Sequence, residues 1–217
     1  MKKIFSICII CILALCLLAG CADLVPRTSA RRLPDRYGDG IPQIHSSVDM
    51  DGDGVDDQTD ILNGALDYIS KRPAYESKYY AGGYPDDGSG VCTDVVAFAM
   101  KAAGYDLMQL VADDIAAHKD DYEDEEPDAN IDFRRVRNLK VYFRHTATSL
   151  TTDIRQIEAW QGGDIVIFEN HIGIVSDRRN AGGVPYVIHH NDPIQRSYEQ
   201  DILEKRSDIV GHYRVSE

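Results

Sequence analysis

An apolar run from Ile4 to Leu18, preceded by Lys2 and Lys3, removes residues 1–20 from any folded core. A positive start, an apolar stretch of this length and small residues at its close make a secretory signal. A membrane-spanning helix would need about 20 apolar residues with anchoring flanks. The chain is therefore expected outside the cytoplasm, and the remainder is long enough for one domain with a sizeable core. The signal holds two of the 23 basic residues and none of the 36 acidic ones, so the remainder is more acidic than the −13 of the whole chain. That charge argues against nucleic acid and anionic lipid headgroups as partners, and suits divalent cations.

Of the five cysteines, Cys8, Cys11 and Cys16 lie within the signal. Cys21 closes a Leu18-Ala19-Gly20-Cys21 sequence that resembles the bacterial lipobox, whose cysteine thiol receives a diacylglycerol before cleavage. Cys21 would then be the lipid-bearing first residue, held at a membrane because each buried methylene contributes about 0.8 kcal/mol. Cys92 is left as the one free thiol in a compartment where cysteines normally pair. Such a thiol is either buried and inert or a nucleophile. Residues 21–47 are polar and aperiodic, with Pro26, Pro34 and Gly38, and are expected to form a flexible tether before a domain over 48–217.

Helical periodicity begins near Thr59, with Ile61, Leu62, Ala65, Leu66 and Ile69 on one face and Pro73 beyond the end. After a Tyr/Gly-rich loop over 79–90, a second helix is expected to start at Cys92 or Thr93 and to stop at Gly104. A third covers about Leu107–His118 and a fourth about Arg135–His145, separated by an acidic loop over 120–128. The second half reads as strands: 164–168 and 171–176 joined by Glu169-Asn170, then 186–190 and 209–215. Helices first and strands later predict an α+β fold with helices packed on an antiparallel sheet.

A thiol at a helix start meets unsatisfied N–H groups and the positive end of the helix dipole, which lower its pKa. An imidazole within reach would complete a nucleophile–base pair. Among the seven histidines, His118 and His145 sit on polar helix ends as solvated side chains, His45 lies in the tether and His212 has no visible partner. His171 differs because it heads a strand directly after a turn. Strand alternation allows only one of His189 and His190 to point to its side. On spacing alone, a buried cysteine with surface histidines remains the alternative.

The ordered stretches Gly90–Val96 (GVCTDVV), 163–168 (GDIVIF), 171–177 (HIGIVSD) and 187–192 (VIHHND) resemble the NlpC-type, papain-like cysteine peptidases of bacterial cell walls. GVCTDVV, PDANIDFRRVRNL (127–139) and GHYR (211–214) are similar to an uncharacterised domain family assigned to that superfamily. The resemblance implies a papain-like fold with the nucleophile at a helix N-terminus. It implies Cys92 as nucleophile, His171 as general base and His189 as the residue orienting it, with His190 still open for that role. Tyr79 matches the family's Tyr-x-x-Gly-Gly tyrosine, Tyr80 being its neighbour. The backbone N–H of Cys92 would hold the oxyanion. No cofactor is implied for catalysis, and the expected substrate is the stem peptide of peptidoglycan, cut through a thioester acyl-enzyme. Two departures stand out. Asp94 replaces the usual glycine of Asp-Cys-Ser-Gly and, as an anion, opposes thiolate formation unless it binds substrate. The 127–139 segment has no counterpart, and its Arg134, Arg135 and Arg137 would recognise a substrate carboxylate or pair with the acidic loop. The alternatives are a non-catalytic wall-peptide-binding module and a zinc site built from Cys92, His171 and His189.

Residues 49–60 fit the calcium-loop template, with Asp49, Asp51 and Asp53 at positions 1, 3 and 5 and Gly54 at 6. Val55 would offer its carbonyl at 7, Asp57 would bind through water at 9, and Asp60 replaces the usual glutamate at 12. A structural calcium ion is expected there, distant from the chemistry. The expected partners are peptidoglycan stem peptides and, through the lipid on Cys21, a membrane; the chain is expected to act as a monomer.

Overall fold

The computed structural model describes residues 28–38, 40–123 and 126–216. The expected signal over 1–20, the expected lipid site Cys21 and the first part of the expected tether lie outside these residues. Four helices of at least 11 residues precede the main sheet: α1 (Asp57–Ser70), α2 (Cys92–Ala102), α3 (Leu107–Ala117) and α5 (Val136–Thr146), with a single turn α4 (Ala129–Asp132) before the last. A two-residue parallel pair, β1 (Ala74–Tyr75) and β2 (Ser89–Gly90), closes the Tyr/Gly-rich loop. The main sheet has six antiparallel strands: β3 (Thr148–Ser149), β4 (Ile165–Phe168), β5 (His171–Arg179), β6 (Pro185–Ile188), β7 (Glu199–Gln200) and β8 (Ile209–Arg214). Their order is β3-β8-β4-β5-β6-β7. The α+β expectation holds, with boundaries within a few residues of those read from periodicity. No single helix among the described residues is long and apolar enough to cross a membrane.

Alternation along the strands divides two cores. Ile165, Ile167, Ile172, Ile174 and Ile188 join the buried faces of α1, α2, α3 and α5. Val166, Phe168, Val175 and Val187 meet Trp160, Val184 and Leu203 in a second cluster. Each fully buried aliphatic side chain contributes roughly 1.5–3 kcal/mol. Helix α1 lies close on α2 because Gly64 presents no Cβ: one built there would meet Ala102 Cβ at 2.5 Å. Strands β5 and β6 approach closely at Gly173 for the same reason, since its Cβ would meet Val187 Cγ1 at 2.6 Å.

The expected tether is different in structure. From Thr28 onward it is a docked strap. Ser29 bridges Ser197 beside β7, Tyr198 N donates to Ser29 O at 3.0 Å, and Arg36 N donates to Arg179 O at 2.9 Å. Arg32 pairs with Asp177 and with the buried Glu199. Polar composition suggested a free linker, but these polar groups are satisfied by an edge strand and a buried carboxylate.

His212, without a visible partner in the sequence, is fully buried on β8. Its ring stacks on Trp160 at 3.7 Å, Nδ1 faces Thr151 O at 2.7 Å and Nε2 faces Asp164 Oδ2 at 3.0 Å. Asp164 also accepts from Gln161 N (2.8 Å), Gln58 Nε2 (2.9 Å) and Arg214 Nε and Nη2 (2.9 and 3.0 Å). The Gly163-Asp164 pair is therefore a latch joining α1, β4 and β8; at Gly163, φ is +94° and a Cβ would strike Gln58 O. Removing one member of a buried charge pair leaves the other uncompensated, at about 3–5 kcal/mol. Asp164→Ala is expected to destabilise the chain by about that amount in urea unfolding; a loss under about 1 kcal/mol would exclude this role.

Candidate functional site

Cys92 is the first residue of α2, preceded by the extended Val91, whose N–H donates to Asp94 Oδ2 at 2.8 Å. This side-chain cap starts the helix at the cysteine, as expected. The thiol is partly buried against the helical core, beside Tyr75 and the backbone N–H of Ile172. Its acidity is the reverse of the expectation. Burial pushes the Cys92 thiol up to about 11, with Asp94 adding to the rise, and this outweighs the pull of the N–H groups of Ile172, Thr93 and Cys92. Desolvation of the thiol opposes the helix dipole here and exceeds it. The resting thiol is protonated.

His171 opens β5 opposite Phe168, across the two-residue turn 169–170. It is buried, as is His189, the first residue after β6. Gln200 Oε1 accepts from His189 Nε2–H at 3.1 Å. His189 Nδ1 is then without a proton and accepts from His171 Nε2–H at 2.9 Å. His171 Nδ1 is left as a bare lone pair, the form a general base needs. Burial, followed by His189, lowers His171 to about 3, and burial lowers His189 to about 4. Both rings are neutral at pH 7. His190 meets Tyr75, the ring beside the thiol, and Tyr198 edge-on, and neither of its ring nitrogens has a hydrogen-bond partner among the described residues. The pairing with His171 thus belongs to His189.

No hydrogen bond joins Cys92 to His171 among the described residues. The thiol meets the main chain of Ile172, while the His171 ring stacks at 5.9 Å on Phe168 of the second cluster. The structure brings the two residues to neighbouring positions and leaves the thiol–imidazole contact unmade.

The two departures from the resembled pattern answer each other. Arg134 Nε and Nη2 hold Asp94 Oδ1 and Oδ2 at 2.6 and 3.0 Å, both side chains buried. Arg134 Nη1 also donates to Lys78 O at 2.8 Å, and its guanidinium lies 4.9 Å from the Tyr80 ring centre. Asp94 and Arg134 are therefore a structural pair and neither is free for substrate; the partner is not the acidic loop. Tyr80 donates to Asp87 (3.0 Å) and Tyr79 to Asp128 (3.1 Å), and neither hydroxyl touches the thiol. Arg135 pairs with Asp132 at 2.7 Å. Arg135 and Arg137 line a cleft of about 600 Å³ with Lys140, Arg144, Glu169 and Asn170, beside the turn that leads into His171.

In the acidic loop, Asp49, Asp51 and Asp53 bring one carboxylate oxygen each within 4.8 Å of the others. Their remaining contacts are to loop N–H groups, Asp49 accepting from Gly52 and Gly54 at 2.8 and 2.9 Å. Asp60 faces them: burial, then Asp53, Asp51 and Asp49, raises its carboxyl to about 6. Val55 N donates to Asp53 at 2.8 Å. Asp57 does not fit its expected place, because it is buried and accepts from Met50 N and the Tyr105 hydroxyl. The loop packs against Gly104, at the end of α2 opposite the thiol.

Sequence reasoning missed Gln200, whose two-residue strand carries no periodicity, and it read His118 and His145 as solvated. Both of those converge on Asp114.

A family model described as "Domain of unknown function (DUF1287)" matches residues 62–215. The uncharacterized protein YijF of Escherichia coli (strain K12) is 39% identical over 168 residues, covering 71% of this chain and 80% of that protein. No solved structure matches the chain.

Proposed function

The chain belongs to the family of the DUF1287 domain of unknown function, and from the site just described we propose that it is an exported, lipid-anchored cysteine hydrolase acting on peptide amides of the cell wall. The observation that carries this is the Gln200–His189–His171 chain, which presents a bare Nδ1 beside the residue whose N–H touches Cys92. The thiol at the head of α2, the imidazole at the head of β5 and the second histidine after β6 support a papain-like assignment. In the proposed reaction, His171 Nδ1 takes the Cys92 proton as Sγ bonds to the substrate carbonyl carbon. The oxyanion rests against the Cys92 N–H. Collapse breaks the C–N bond, the leaving amine takes the proton from Nδ1, and water then cleaves the thioester with His171 again as base. The protonated resting thiol requires general-base activation when substrate binds, in place of a preformed ion pair. The cleft bearing Arg135, Arg137, Glu169 and Asn170 adjoins this point and offers both signs of charge to a stem peptide. The proposed setting is the outer side of a membrane, reached through a lipid on Cys21, with the chain monomeric.

The second reading is a wall-peptide-binding module. It is favoured by the thiol at about 11 and the missing thiol–imidazole hydrogen bond. Muropeptide analysis by mass spectrometry separates the two. The hydrolase releases peptides from peptidoglycan and Cys92→Ala stops release while wall binding persists; binding without release in the wild type leaves the module.

Calcium in the 49–60 loop is proposed as a structural ion held by Asp49, Asp51, Asp53 and Asp60, since the first three converge within 4.8 Å and a cation offsets the burial and, after it, the carboxylate repulsion that raise Asp60. At a hundredfold excess over Kd it would add about 2.7 kcal/mol. Melting after chelation and after calcium is added back tests this: a rise in Tm that Asp60→Asn largely abolishes is expected, and equal Tm values would rule the ion out.

A further inference from the structure

Helices α3 and α5 meet at a second cluster of titratable groups, unrelated to Cys92. Asp114 lies on α3 and His118 one turn later caps it, so the two share one helix face. His145 comes from the last turn of α5. His118 Nδ1 is 3.0 Å from Asp114 Oδ1, and His145 Nδ1 is 2.8 Å from Asp114 Oδ2. The two rings are 4.8 Å apart, tilted by 60°. One atom from each of the three residues falls within 4.8 Å of the others.

We propose that Asp114, His118 and His145 bind one transition-metal ion of the zinc type. Two imidazole nitrogens and one carboxylate oxygen form the donor set of zinc and its neighbours, whereas calcium takes oxygen alone. Four-coordinate zinc with bonds of about 2.0–2.1 Å sets its ligand atoms roughly 3.3 Å apart; the two short edges, one to each Asp114 oxygen, would open by a few tenths of an ångström, and the other edges lie within 4.8 Å. The other nitrogen of His145 supplies an independent sign. His145 Nε2 faces Asp121 Oδ2 at 3.4 Å, the carboxylate–histidine arrangement that orients a metal ligand. Both nitrogens of this ring face carboxylates, Nδ1 that of Asp114 and Nε2 that of Asp121. Asp114 is fixed further by the Tyr122 hydroxyl. His118 is half-exposed, which leaves a side open for entry of the ion and for a water as fourth ligand. The ion would staple α3 to α5 beside the acidic loop, and Asp121 also lines the cleft near His171.

Titration of the metal-free full chain with Co2+ and then Zn2+ tests the site. One equivalent should bind with a visible d–d band and no thiolate charge-transfer band, which separates it from a Cys92 site. His118→Gln/His145→Gln should lose at least about 100-fold in affinity, and Asp121→Asn, which keeps all three ligands, about 10- to 100-fold. Asp49→Asn should leave the affinity unchanged. Equal zinc affinity in the wild type and the double variant, a thiolate band, or no stoichiometric binding by the wild type overturns the proposal.

Discussion

Two charges taken out of water beneath the first turn of α2 fix where the thiol sits. Asp94 holds the Val91 N–H and so starts the helix at Cys92; Arg134 compensates that carboxylate and reaches on to the Lys78 carbonyl. Burial raises the Asp94 carboxyl, and Arg134 pulls it back. Alone, a carboxylate two residues from the thiol opposes its ionisation; the arginine that offsets that carboxylate comes from the 127–139 segment. The segment and the aspartate are therefore one device. A buried pair of this kind is weak evidence for net stability; its hydrogen bonds tie the α2 N-terminus to the Lys78–Tyr80 loop and to the segment after α4.

The far edge of the sheet is held in a related way. Glu199 is buried in β7 and accepts from Arg32 and Leu33 of the strap and from Ser176 Oγ at 2.6 Å. Its neighbour Gln200 faces the opposite way and sets the tautomer of His189, hence that of His171. A two-residue edge strand is weak by itself. Bracing from residues 28–36 gives it a fixed register, so the segment leading from the N-terminus also supports the imidazole chain.

Local patterns in the sequence carried the helices, because Ile61, Ala65 and Ile69, or Val95, Ala99 and Met100, repeat at the period their burial requires. The start of α2 at Cys92 and the turn before His171 were equally legible. What depends on distant partners was not. Arg134 and Asp94 are 40 residues apart, and His212 and Asp164 are 48 apart; no periodicity announces such pairs. The polar strap looked like a linker because its partners lie at the other end of the chain. The acidity of Cys92 failed for another reason: a helix start lowers a thiol's pKa only while the thiol stays hydrated, and the core packed around it reverses the sign.

We propose that His171 activates a thiol which burial, with Asp94 adding to it, keeps protonated. The most direct measurement is the rate of Cys92 alkylation by iodoacetamide as a function of pH, in the wild type and in His171→Ala. The wild type is expected to react faster near neutrality, with a profile that rises at lower pH than the variant's. Two superimposed profiles, both climbing only toward about 11, would contradict it.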